Sequence, residues 1–105
     1  MTEIVFFTDD DILTGFSLNG HSDYAQQGED IVCAAISSAT YMTVNTITDV
    51  LMIKPVLLNE ADAVMQIQLN SKDAQDAESI LKGFKLHIEN LAEQYGDYIK
   101  LTIRR

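Results

Sequence analysis

At 105 residues, 47% hydrophobic and 22% charged, the chain has the profile of one soluble globular domain spanning residues 1–105, not of a disordered segment. Its net charge of −9 and isoelectric point near 4.3 argue against nucleic acid, whose phosphates demand Lys and Arg; the charge suits a basic partner or simply solubility. A single cysteine excludes an internal disulfide and a thiolate zinc cage, and points to a reducing compartment; no secretion leader is read at the start.

Residues 3–8, rich in Ile, Val and Phe, predict a strand. Asp9, Asp10 and Asp11 make a solvated turn, because three adjacent carboxylates cannot easily converge on one cation. Ile12, Thr14, Phe16 and Leu18 then alternate with Leu13, Gly15, Ser17 and Asn19, the period of a half-buried strand, so the two strands form a hairpin. Residues 20–28 carry no periodicity, are bracketed by Gly20 and Gly28, and hold His21, Ser22, Asp23 and Tyr24: an exposed loop with chemistry on it.

Glu29 and Asp30 place negative charge where a helix N-terminus prefers it, and a long helix is predicted from about Glu29 to about Met52, stopped before Pro55. The charge-free run 31–48 approaches a membrane span in length. Its Ser, Thr and Asn residues make it instead a soluble helix covered on more than one side, hence self-association through it or through a sheet edge. Residues 56–58 and 64–69 predict a second strand pair around a turn at 59–62, with Met65, Ile67 and Leu69 on one face. A second helix starts at Asn70 or Ser71, carries Ala77, Leu81, Phe84, Ile88, Leu91 and Tyr95 as its apolar stripe, and ends at Gly96. Ile99, Leu101 and Ile103 share a face of a last strand. The order ββαββαβ predicts a two-layer α+β domain, one sheet with two helices. Met42, Met52 and Met65 are read as core, and His87 as a surface histidine.

Cys33 falls in the opening turn of the first helix, where unpaired N–H groups and the helix dipole favour a thiolate. Asp30 and Ser37 lie on its face of the helix, and small Ala34 and Ala35 leave room for a peptide. His21 reaches the thiol only if its loop folds over the helix end. A thiolate to attack a peptide carbonyl, an imidazole to move the proton and backbone N–H groups to hold the oxyanion would make a protease. The residues alone also allow a small buried cysteine in a non-catalytic module that binds a basic protein.

The nineteen contiguous residues GHSDYAQQGEDIVCAAISS, Gly20 to Ser38, resemble the signature of the ribosomal-processing cysteine protease family, often called Prp: a Gly-His loop followed by a Gly-x-Asp-Ile-x-Cys-Ala-Ala helix start. The resemblance implies a cytoplasmic cysteine endopeptidase that removes the N-terminal extension of protein twenty-seven of the large ribosomal subunit. It implies Cys33 and His21 as catalytic dyad, Asp30 and Ser37 as supporting residues, Gly20 as the hinge of the His21 loop, and a homodimer. Ser22 and Tyr24 are taken as substrate-facing; Asp11 or Asp23, if near the site, would attract a lysine-rich peptide. No cofactor or metal, no nucleic acid and no membrane are expected.

Overall fold

A computed structural model describes residues 1–26 and 30–105; the expectations for Gly28 and Glu29 lie outside the described residues. One five-stranded sheet carries helices on one face, an α+β fold. The strands are β1 (Thr2–Asp9), β2 (Ile12–Asn19), β3 (Leu57–Ala61), β4 (Val64–Gln68) and β5 (Ile99–Arg104), in the spatial order β3-β4-β2-β1-β5. Only the β1–β5 pair is parallel.

The β1–β2 turn takes two residues, Asp10 at φ 50° and Asp11 at φ 64°, the left-handed pair that matches a hairpin's twist. A register shift after Phe7 then leaves Thr14 without a direct partner on β1, since Phe7 pairs with Gly15 and Thr8 with Leu13. That bulge interrupts the simple alternation, and Leu13 and Phe16 are both buried. At Gly15, β2 and β4 approach so closely that a Cβ would overlap the carbonyl oxygen of Ile67 and stand 3.0 Å from the Gln68 Cα.

Helix α1 (Ile31–Asn45) continues into a π-helical turn, Thr46–Val50. It stops at Met52, whose φ of 56° cannot continue a helix, three residues before Pro55. The stretch Ile31–Val50 is long and apolar enough, by length and composition, to cross a membrane. Here Val32, Ile36, Val44 and Ile47 enter the core, and Thr40, Thr43, Thr46 and Thr48 return their hydroxyls to carbonyls four residues back at 2.7–3.1 Å. The expectation that this helix is covered on more than one side does not hold within the chain. Met42, Val50 and Met52 are exposed, and of the three methionines read as core only Met65 is buried.

The second strand pair extends further than its apolar letters suggest. Polar Asn59 and Glu60 belong to β3, because backbone pairing with Gln66 and Met65 is indifferent to side chain at an open edge. The turn is therefore Asp62–Ala63, not 59–62. The second helix is two: α2 (Ser71–Asp76), capped by the Asn70 side chain accepting from the Asp73 N–H at 2.8 Å, and α3 (Glu78–Gln94). They meet at Ala77, whose φ −98° and ψ 9° break the run while its methyl stays buried. Tyr95 caps α3, and Gly96 follows without adopting a left-handed φ.

The core lies between sheet and helices. Phe6, Phe16 and Phe84 form its aromatic centre, with ring centroids 4.6–6.0 Å apart, joined by Ile4, Ile67, Leu81 and Ile88. The start of α1, the end of β2 and the β3–β4 turn converge at one end of the molecule.

Candidate active site

The site is built on the start of α1. Asp30 precedes the helix with extended backbone, and its side chain caps it: Oδ1 accepts the N–H of Cys33 at 2.9 Å. The other oxygen accepts the Ser22 hydroxyl at 2.5 Å and the N–H groups of Tyr24 and Ala25 at 3.0 and 3.4 Å. Burial pushes this carboxyl up, but the Ser22 hydroxyl and the three backbone N–H groups outweigh it and hold Asp30 below its ordinary 3.8. It is a buried carboxylate with its oxygens satisfied.

His21 lies on the loop leaving β2. The strand ends at Gly20, whose φ of +91° turns the chain and whose N–H donates to Ala63 at 2.8 Å. A Cβ there would stand 3.0 Å from the Met1 carbonyl oxygen. From this turn the His21 ring reaches the helix end, with Nδ1 3.9 Å from the Cys33 Sγ. That separation lies within hydrogen-bonding range for sulfur, though long. His21 is exposed and Cys33 half-buried, so the thiol is open to a reagent from outside and is not a sealed core residue.

Both residues line a cavity of about 960 Å³, roomy enough for several residues of peptide. One wall is α1, where Cys33, Ser37 and Tyr41 recur every fourth residue and so share a face. The opposite wall is the β3–β4 turn, Glu60 to Ala63; Gly20 and Asp23 come from the loop. The carboxylates on it are Asp23, Asp30, Glu60 and Asp62, and none of its described lining residues is Lys or Arg. Hydrogen bonding to Glu60, and that carboxylate's charge, push the Tyr41 phenol above its ordinary 10, so it remains a protonated donor.

Of the residues picked from sequence, the structure brings Cys33, His21, Asp30, Ser37 and Gly20 to this cavity. Of the two residues taken as substrate-facing, Ser22 is corrected, because it is buried. Ser22 is only 1% exposed and turned onto Asp30, while Tyr24 packs edge-on against Tyr95 and Tyr98, with centroids 5.9 and 5.2 Å away. Neither lines the cavity. Asp11 stands in the turn at the far end of the hairpin; Asp23 is at the site, where it pairs with the Met1 ammonium at 2.8 Å. The N–H groups at the helix start, expected to be unpaired, are in part occupied. The Cys33 N–H is engaged by Asp30 Oδ1 and the Ala34 N–H by the Asp30 carbonyl at 3.0 Å, so neither points at a substrate oxygen in this conformation. Tyr41 and Glu60 were missed; the fourfold spacing from Cys33 could have found Tyr41, whereas nothing local marks Glu60. Among the described residues no cluster of three metal-ligating side chains occurs.

The chain is similar to proteins of known family over nearly its whole length. The chain is 26% identical over 106 residues to a ribosomal processing cysteine protease Prp of Staphylococcus aureus, covering 99% of each, and 24% identical over 95 residues to that of Bacillus subtilis, covering 86% of this chain and 85% of the other. Its fold is similar to a crystal structure of the S. aureus protease with a covalently linked product peptide, at a TM-score of 0.90 and 25% identity over 99% of this chain and all of that one. A crystal structure of a Streptococcus mutans protein matches at 0.82 with 28% identity, covering 99% and 94%. The family model described as cysteine protease Prp matches residues 1–100, and the chain belongs to that family.

Proposed function

We propose that the protein is a cysteine endopeptidase that removes the N-terminal extension of protein twenty-seven of the large ribosomal subunit, with Cys33 as nucleophile and His21 as its base and acid. The observation that carries this reading is the 3.9 Å approach of the His21 Nδ1 to the Cys33 Sγ at a helix N-terminus inside an open cavity. Catalytic hydrogen bonds are commonly long before substrate closes the site.

The Cys33 proton passes to His21 Nδ1 as Sγ bonds to the scissile carbonyl carbon. The imidazolium then gives that proton to the departing amine as the C–N bond breaks, which leaves a thioester on Cys33. Water, deprotonated by His21, attacks the thioester, and the proton returns to sulfur as the carboxylic product leaves. Asp30 supports the helix end. Ser37, one turn beyond Cys33 on the cavity wall, supplies a hydroxyl to the bound peptide. Gly20 is the pivot through which the His21 loop adjusts.

The acidic wall formed by Asp23, Glu60 and Asp62 favours a basic substrate such as a ribosomal-protein segment, and disfavours nucleic acid. The protein acts in the cytoplasm, without cofactor or membrane, as a homodimer. Support for self-association comes from the exposed apolar residues Val50, Leu51, Met52, Val56, Leu57 and Leu58, which run from the end of α1 onto the edge strand β3.

The test is incubation with the extended ribosomal protein. Wild type shortens it and exposes one new N-terminus, whereas Cys33→Ala and His21→Ala do not. Cleavage by Cys33→Ala would end the assignment, and binding without cleavage by wild type would identify a module instead of an enzyme.

A further inference from the structure

We propose that Ser22 is a positioning residue for the reaction: its hydroxyl, held on Asp30, fixes the loop carrying His21 against the helix end carrying Cys33. The inference rests on the reading of His21 and Cys33 as the reacting pair.

His21 is exposed, and among the described residues the polar partner of its ring is Cys33 itself. Nothing in such an arrangement holds the imidazole in place from its own side chain. Its position is set by the backbone on either side. On one side Gly20 donates to Ala63 at 2.8 Å and accepts from the Thr2 hydroxyl at 3.4 Å. On the other side stands Ser22, 1% exposed, with its hydroxyl on Asp30 Oδ2.

Asp30 is the other half of the device. The same carboxylate that takes the Ser22 hydroxyl on one oxygen takes the Cys33 N–H on the other. The residue after His21 and the residue bearing the thiol are thus tied to a single rigid group. A buried hydroxyl left without a partner carries the full cost of its lost hydration, so this link is preferred over an open one. The Tyr24 and Ala25 N–H groups add to it at 3.0 and 3.4 Å, but they lie further along the loop and bind less closely. Without the Ser22 hydroxyl the loop stays attached, and His21 loses its neighbouring anchor on the helix side.

Misplacing a catalytic group by about 1 Å costs up to roughly a hundredfold in rate. The experiment compares wild type, Ser22→Ala, Ser22→Thr and His21→Ala in steady-state cleavage of the extended ribosomal protein, in alkylation of Cys33 by iodoacetamide at neutral pH, and in thermal unfolding. Ser22→Ala is expected to lower kcat by about tenfold with KM within about twofold. Its Cys33 alkylation falls toward the rate of His21→Ala, a change that a loss of stability alone would not produce in the folded protein, and Ser22→Thr, which keeps the hydroxyl, restores both. A wild-type kcat in Ser22→Ala, or a raised KM with kcat retained, overturns the positioning role while an inactive His21→Ala leaves the dyad standing. Wild-type cleavage by His21→Ala overturns the dyad and the positioning role together.

Discussion

Asp30 accepts the Cys33 N–H at 2.9 Å, so the backbone of the proposed nucleophile belongs to a helix cap instead of an oxyanion hole. Because this carboxyl is held below its ordinary 3.8, the stabilisation it contributes is complete above about pH 3.8, where the unfolded chain's Asp is ionised. It is lost as pH falls through the still lower folded value. Thermal unfolding followed from pH 7 down to about pH 2 should therefore show Asp30→Asn less stable than wild type by about 1–3 kcal/mol at neutral pH, with the gap closing below about pH 3.8. A gap that widens in acid would contradict the cap.

Glu60 faces the site from the opposite wall and leaves Tyr41 protonated beside it. Glu60→Gln removes one carboxylate of an acidic wall without changing its shape. We expect KM for a lysine-containing peptide to rise by about three- to tenfold at low salt, as for loss of a partly exposed charge pair of about 1 kcal/mol, with kcat little changed. A neutral peptide of the same length should be unaffected. Equal effects on both peptides would show that the charge plays no part in recognition.

Ser37 shares the Cys33 face of α1 one turn on and opens into the cavity. Ser37→Ala should lower kcat/KM for the ribosomal substrate by about tenfold, the worth of one hydrogen bond to a polar partner, and leave thermal stability within about 0.5 kcal/mol. An unchanged kcat/KM would remove Ser37 from the site.

Gly15 is where β2 and β4 come closest, and there is no room for a methyl group against the Ile67 carbonyl. Gly15→Ala should destabilise the fold by about 1–3 kcal/mol, since the obstacle is backbone and cannot swing aside. A urea midpoint equal to wild type would show that the two strands can separate at no cost.

The apolar strip from Val50 to Leu58 predicts a concentration-dependent dimer. Sedimentation at micromolar concentration should give a dimer for wild type and a monomer for Val56→Lys, which places a charge on the strip at a residue that is 71% exposed in the chain alone and outside the cavity. A wild-type monomer would remove self-association from the proposed function.

Much of this architecture is readable from the residues. Apolar periodicity marks both hairpins, both helical regions and the last strand, because each element must bury one face and its spacing reveals which. Asn70 is legible as a cap, and the place of Cys33 in an opening helical turn follows from the acidic pair before it and the apolar run after it. The run from Gly20 to Ser38 also carries the resemblance to a protease family, which the match over residues 1–100 independently shows. Local patterns fail where pairing across the sheet decides. The length of β3 through Asn59 and Glu60, the bulge at Thr14 and the break at Ala77 answer to neighbours distant in sequence. Met42 and Met52 are apolar but exposed, since hydrophobicity says that a residue can be buried, not that a partner surface within the same chain exists to bury it.

The lone thiol of Cys33 on a helix opening, with a histidine in the preceding loop, is therefore determined by sequence alone: both positions follow from local signals. Only the tertiary structure decided that the loop turns at Gly20 so that His21 comes to 3.9 Å from that thiol. It also decided that Ser22 is buried on Asp30, that Tyr24 packs edge-on against Tyr95 and Tyr98 outside the cavity lining, and that Tyr41 and Glu60 complete the cavity. The reason is physical. The direction of a side chain in a loop is set by which buried polar groups and aromatic rings it can satisfy, and here those are Asp30, Tyr95 and Tyr98, brought to the loop by the fold.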